Sequence, residues 1–127
     1  MILFTWEMFD QAIKTFPKPN SDCDGFYPIP RGGMVLAVAL SHKFGFPIIK
    51  DYELSNKSII VDDIADSGNT LKKIRKNQPA YVLVKRYTCD LTHIFYSQYV
   101  IDTQWVVFPW EDKSKVKEDY ANYISRK

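Results

Sequence analysis

Apolar positions along the chain fall into short runs separated by polar turns, and their spacing changes from run to run. Trp6, Phe9, Ile13 and Phe16 recur at helical intervals, which predicts an amphipathic helix over residues 5–15 that Pro17 and Pro19 terminate. Residues 24–30 predict a first strand, expected to be short or irregular because Pro28 and Pro30 each lack a ladder donor. A helix over 33–44 follows, apolar on nearly every side at Met34, Val35, Leu36, Val38 and Leu40, which predicts burial. Next come a short strand over 46–49 and a strand over 58–63, where Ile59, Ile60 and Val61 form an unbroken β-branched run covered on both faces. A helix is expected over 68–76 and strands over 80–87, 98–101 and 104–108. A surface helix over 114–126 carries Val116, Tyr120 and Ile124 at i, i+4 and i+8. Strands alternating with helices predict an α/β fold, a mainly parallel twisted sheet flanked by helices with right-handed crossovers.

The strand over 58–63 ends in charge. Asp62 and Asp63 stand at its carboxyl end, outside which ligands bind in open α/β sheets. Ser67, Gly68, Asn69 and Thr70 then form a turn of small and hydroxyl-bearing residues. Glycine lets backbone approach an anion, hydroxyls and free N–H groups can donate to it, and the start of the next helix adds a positive dipole. Successive side chains on a strand point to opposite faces, so Asp62 and Asp63 are expected to do different jobs, one at sugar hydroxyls and one at a metal. Mg²⁺ takes one or two carboxylates and fills its shell with substrate oxygens and water, so the pair suits a Mg²⁺–phosphate substrate. The same acids also suit a solvated loop with Ser67 as a helix N-cap.

Residues 28–40, PIPRGGMVLAVAL, repeat the strand, glycine turn and helix arrangement and point to a second anion site. Arg31 supplies a fixed charge there, and Gly32 and Gly33 allow an approach that a side chain would block.

Composition narrows the choices. A length of 127 residues with 46% hydrophobic content predicts one domain over 1–127 with a substantial core. A net charge of +2, with the 17 basic residues dispersed, argues against nucleic acid as a partner. Cys23 and Cys89 lie far apart without metal-ligand spacing and are expected as reduced thiols of a cytoplasmic protein. The amino terminus has acids where a secretion signal has bases, and no apolar stretch approaches the roughly 18 residues of a membrane span, so no membrane is expected. Ser41 and His42 on a helix and His93 in a polar stretch form no nucleophile–base–acid set.

VDDIADSGNTL, residues 61–71, resembles the phosphoribosyl pyrophosphate (PRPP) motif of the type I phosphoribosyltransferases, in which two acids precede a D-[ST]-G-x-T loop. The resemblance implies that Asp62 and Asp63 bind the ribose hydroxyls directly or through Mg²⁺, with Asp63 as the metal residue. It implies that Ala65, Asp66, Ser67, Gly68, Asn69 and Thr70 hold the 5′-phosphate, and that Arg31, Gly32 and Gly33 grip the pyrophosphate. Taken alone, Lys85 in AYVLVKRY is a strand-end residue, and Trp105 and Trp110 in QWVVFPWE are core aromatics. Their order resembles the purine enzymes of the family, especially the small bacterial xanthine-guanine type. There Lys85 would meet the oxygen at purine C6, Trp105 would stack on the base, and the Val106 backbone would meet the 2-position edge. Asp66 would be the catalytic residue, handling the proton at purine N7. An ammonium has only donors, so it selects 6-oxopurines over adenine.

The implied reaction is Mg²⁺-dependent transfer of phosphoribosyl from PRPP to guanine, xanthine or hypoxanthine, by a homo-oligomer (dimer or tetramer) by analogy with relatives. Residues 50–57, KDYELSNK, are a shortened version of the lid the family carries there. A short lid also suits a non-catalytic PRPP- or nucleotide-binding regulatory protein, which the base-pocket residues Asp66, Lys85 and Trp105 argue against. A phosphoacceptor receiver domain fits less well, since its acid pair belongs to the first strand and this one lies mid-chain.

Overall fold

A computed structural model describes residues 1–125. In chain order the elements are β1 (Ile2–Leu3), α1 (Trp6–Thr15), β2 (Phe26–Pro28), α2 (Met34–Phe44), a 3-10 turn (Asp51–Glu53), β3 (Ile59–Ala65), α3 (Asn69–Ile74), β4 (Ala80–Arg86), β5 (Ile94–Val100), β6 (Val106–Val107) and α4 (Lys113–Ser125). They divide between two compact units, one of residues 12–102 and one of residues 1–11 with the chain from Thr103 onward, the division falling within α1.

The larger unit holds a fully parallel sheet in the order β2-β3-β4-β5. Its two inner strands carry the β-branched runs, and Ile59, Ile60, Val61, Val82, Leu83 and Val84 are each at most 4% exposed. Burying side chains of this size stabilises the fold by roughly 1.5–3 kcal/mol each. Registers such as Val61 with Tyr81 and Lys85 with Tyr99 bring the carboxyl ends of β3, β4 and β5 level. β2 is short, as expected, ending at Pro28 with Pro30 left in the loop beyond, and it lies at the sheet edge where a missing donor costs least.

Several elements differ from the sequence expectation. The strand over 46–49 reduces to a single bridge between Ile48 and Phe26, because Pro47 has no N–H and contributes only its carbonyl, which accepts from Phe26 at 2.8 Å. β3 runs on through both acids to Ala65. The following helix is only six residues long. α2 buries Leu36, Ala37 and Leu40 but leaves Met34 and Val38 exposed, so it is covered on one side only. Gly45 ends it in a left-handed C-cap, φ 79°, with its N–H on the Ser41 carbonyl at 2.9 Å. β5 starts at Ile94, earlier than expected, as an edge strand whose residues are mostly exposed.

β4 and β5 are parallel, yet only residues 87–93 connect them, without a helix. A seven-residue strand spans roughly 23 Å, so this strap returns nearly along the full length of the sheet. On the way its Thr88, Cys89 and Leu91 touch the turn that follows β3.

In the smaller unit β6 does not pair with β5. It pairs in parallel with β1, Ile2 opposite Val106 and Leu3 opposite Val107. Around this ribbon Phe4, Phe9, Phe108 and Trp110 form an aromatic cluster, with Phe108 and Trp110 stacked at 5.0 Å and 11°. Trp6 joins its rim against Phe9 and Trp110 but is half exposed, a departure from the expected core face of α1. α4 buries Val116 and leaves Ile124 half exposed; its expected last residue, Arg126, lies outside the described residues.

Candidate active site

β3 delivers both acids to the carboxyl end of the sheet, and the glycine loop before α2 meets them there. A Cβ built on Gly32 would stand 2.4 Å from Oδ2 of Asp63, so the carboxylate lies directly against this glycine. A Cβ on Gly33 would stand 2.3 Å from the Val61 carbonyl, which already accepts the Ile29 N–H at 2.8 Å. Gly33 is therefore required by close approach to the β3 backbone, Gly32 lies against the Asp63 side chain, and the fold brings the loop of Arg31, Gly32 and Gly33 beside the acid pair. Arg31 is exposed beside it, and the Pro30–Arg31 peptide bond is cis.

The alternation expected to separate Asp62 from Asp63 does not do so. Each carboxylate folds back along its own strand, Asp62 accepting the Asp63 N–H at 2.8 Å and Asp63 accepting the Ile64 N–H at 2.7 Å. The two carboxyl groups come within hydrogen-bonding reach of each other. Burial, reinforced by the charge of Asp63, pushes Asp62 up to about 8. Burial also raises Asp63, against the opposing pull of its hydrogen bonds. Two part-buried carboxyls crowded at one strand end, both raised by burial, form a site that gains from an added cation.

The turn after β3 is built from distinct parts. Ala65 is 3% exposed and paired with Lys85, so its methyl belongs to the core and only its backbone borders the turn. Gly68 has φ 87°, and a side chain there would also crowd Leu91 and Cys89 of the strap. Ser67 Oγ accepts the Asn69 N–H at 3.2 Å, so the hydroxyl does cap the turn locally. Asn69 and Thr70 are exposed. The short α3 contributes little dipole, so anion binding at this turn depends on its own N–H and hydroxyl groups.

Asp66 is paired with a residue that sequence reasoning missed. Arg86, on β4, places Nε 3.0 Å from Asp66 Oδ1, and its side chain is 3% exposed where that of Asp66 is 41% exposed. Thr88 donates its hydroxyl to the Asp66 carbonyl at 2.7 Å. The strand period carries no signal for it, since both sides of β4 are buried, Tyr81 and Leu83 as deeply as Val82 and Val84.

Lys85, next along β4, holds its ammonium over Tyr96 and Tyr99 of β5, 5.5 and 5.8 Å from the ring centroids. These tyrosines were also absent from the sequence expectation. In the smaller unit, Trp105 lies against Tyr120 and Tyr123, at 5.8 and 4.9 Å, and its buried indole N–H has no acceptor among the described residues. The bonds across to β1 use the carbonyls of Trp105 and Val107, so the Val106 carbonyl points to the other edge of the ribbon. Trp110 belongs to the aromatic cluster.

The expected lid is a pinned turn. Glu53 accepts the Lys50 N–H at 3.0 Å, Gln78 donates to the Ser55 carbonyl at 2.9 Å, and the Ser55 hydroxyl donates to Asp24. A cavity of about 390 Å³ lies at the other end of the sheet, where β3 and β4 begin, lined among others by Lys18, Lys57, Tyr81 and His93. Cys23 and Cys89 are both unpaired. No helix of the described residues is long and apolar enough to cross a membrane.

No protein-family model matches the chain. It is similar to the xanthine-guanine phosphoribosyltransferase of Idiomarina loihiensis, 23% identical over 137 positions that cover 84% of each chain. Among solved structures it resembles a purine phosphoribosyltransferase from Pyrococcus horikoshii at TM-score 0.66 and 25% identity, over 87% of this chain and 94% of that one. The fold also matches a xanthine-guanine-hypoxanthine phosphoribosyltransferase from Helicobacter pylori at TM-score 0.62 and 20% identity, over 93% and 97% of the two chains.

Proposed function

We propose that this chain, a type I phosphoribosyltransferase, transfers phosphoribosyl from PRPP to a 6-oxopurine (guanine, xanthine or hypoxanthine) with Mg²⁺ as cofactor. The observation that supports this reading most is the contact of Gly32 with the Asp63 carboxylate, which joins a diphosphate loop to an acid pair suited to ribose. Arg31 and the backbone of Gly32 and Gly33 would hold the diphosphate, Asp62 and Asp63 the ribose side, and the turn from Ala65 to Thr70 the 5′-phosphate. Lys85 would donate to the oxygen at C6. Trp105 and Val106 take their stacking and edge roles from the family resemblance.

In the reaction the bond from C1′ to the diphosphate oxygen breaks and a bond from C1′ to a purine nitrogen forms. Asp66 would manage the proton at purine N7. Positive charge develops at C1′, so rate enhancement would come from orientation and from the acids nearby, with no covalent nucleophile. The acid pair fits Mg²⁺: two adjacent carboxyls that burial disfavours as anions gain from a hard cation, and Mg²⁺ prefers one or two such ligands with substrate oxygens. Asp63 would hold it, and the ion would neutralise charge on the departing diphosphate. The same reading expects a cytoplasmic homo-oligomer.

The pinned segment 50–57 favours a second reading, a PRPP- or nucleotide-binding regulatory protein without turnover. One panel separates the two: purified protein with PRPP, with and without Mg²⁺, against guanine, xanthine, hypoxanthine and adenine. Monophosphate from a 6-oxopurine, little from adenine and none without Mg²⁺ is expected. PRPP binding without turnover on any base would leave the regulatory reading in its place.

A further inference from the structure

We propose that Arg86 is a positioning residue that sets the direction of the Asp66 carboxylate. The inference rests on the reading of Asp66 as the group that handles the purine proton. Neighbours on an extended strand point to opposite sides, so β4 presents a partly exposed ammonium at Lys85 and, at the next residue, a buried guanidinium. Burying a guanidinium is costly unless it is paired and hydrogen-bonded. Here it is held from two directions: Nε lies 3.0 Å from Asp66 Oδ1 as an ion pair, outside hydrogen-bond alignment, and a terminal nitrogen donates to the Asp102 carbonyl at 2.8 Å.

The guanidinium is a rigid planar fork, so fixing one nitrogen on a backbone carbonyl fixes the direction of the others. Asp66 is thereby oriented from beneath by the core, while much of its carboxylate stays open to solvent, where a base can arrive. Thr88 holds the backbone of the same residue through its carbonyl. A carboxylate on an exposed turn would otherwise sample several rotamers, and loss of orientation of that kind costs rate more than affinity. Lysine is a poor substitute, because a single ammonium on a flexible stem does not reproduce the fork.

The test compares kcat and KM for PRPP in the wild type, Arg86→Met, Arg86→Lys, Asp66→Asn and the combinations of each Arg86 change with Asp66→Asn. Arg86→Met is expected to lower kcat at least tenfold while KM for PRPP moves less than threefold, with Arg86→Lys recovering only part of the loss. Neither Arg86 change should cost anything further in the Asp66→Asn background. Additive losses, or wild-type kcat in Arg86→Met, overturn the proposal. Arg86→Lys keeps the buried charge and carries the same comparison if Arg86→Met does not fold. Failure of the wild type to act on any 6-oxopurine overturns the functional reading instead. The thermal midpoints of the same proteins then decide the pairing, since strictly additive shifts would show that Arg86 does not act on Asp66.

Discussion

Gly32 and Asp63 are in van der Waals contact, backbone against carboxylate, with no room for a single methyl group between them. Gly32→Ala would push Cβ to within 2.4 Å of Oδ2, so either the Asp63 carboxylate must swing away or the loop must shift. Overpacking of this kind costs about 1–3 kcal/mol. The expected outcome is a protein that folds but binds Mg²⁺–PRPP at least tenfold more weakly by calorimetry; wild-type affinity would mean the contact is not part of the substrate site.

Removing the acid itself tests the metal assignment. Asp63→Ala should abolish the Mg²⁺-dependent part of PRPP binding, and an unchanged response to Mg²⁺ in a titration would remove Asp63 from that role.

The acid pair also makes stability depend on pH. Asp62 stands near 8 in the folded chain against an ordinary value of 3.8. Between those values the folded state keeps a proton that the unfolded state has released, so stability falls as pH rises through the window. The slope is at most about 1.4 kcal/mol per pH unit for one such group. Thermal midpoints without Mg²⁺ should fall from pH 5 to pH 8, and Asp62→Asn should flatten the dependence while raising the midpoint at pH 8. A midpoint that rises over this range would contradict the shift.

Lys85 is partly exposed, with its ammonium over two tyrosines, so Lys85→Met should leave the fold nearly as stable as before. Loss of the donor to the C6 oxygen should lower kcat/KM for guanine at least tenfold, about 1.4 kcal/mol, with PRPP affinity unchanged. Equal losses for base and PRPP would show a structural role.

Gly68 should tolerate nothing larger. Its φ of 87° costs an L-residue about 1–2 kcal/mol, and Leu91 and Cys89 close the space above it. Urea denaturation of Gly68→Ala should show at least that loss; an unaffected midpoint would mean the turn relaxes freely.

Much of the larger unit was legible because it is locally encoded. Ile59, Ile60 and Val61 announce a strand covered on both faces, and all three are buried in one. Edge elements were harder to read. β5 has a mostly exposed residue pattern, and its start depends on pairing with β4 rather than on its own periodicity. Pro47 reduced an expected strand to one bridge for want of a donor.

The parallel α/β framework, the acids at the end of a central strand and the glycines of two turns are written into the order of residues, since strand period and turn chemistry are properties of neighbouring residues. The pairing of β6 with β1, the contact of Gly32 with Asp63 and the burial of Arg86 against Asp66 emerge only once the chain is folded. The raised Asp62 belongs to the same set. Pairing partners, burial and the field at a carboxyl group are set by segments far apart in the chain, and no local pattern carries them.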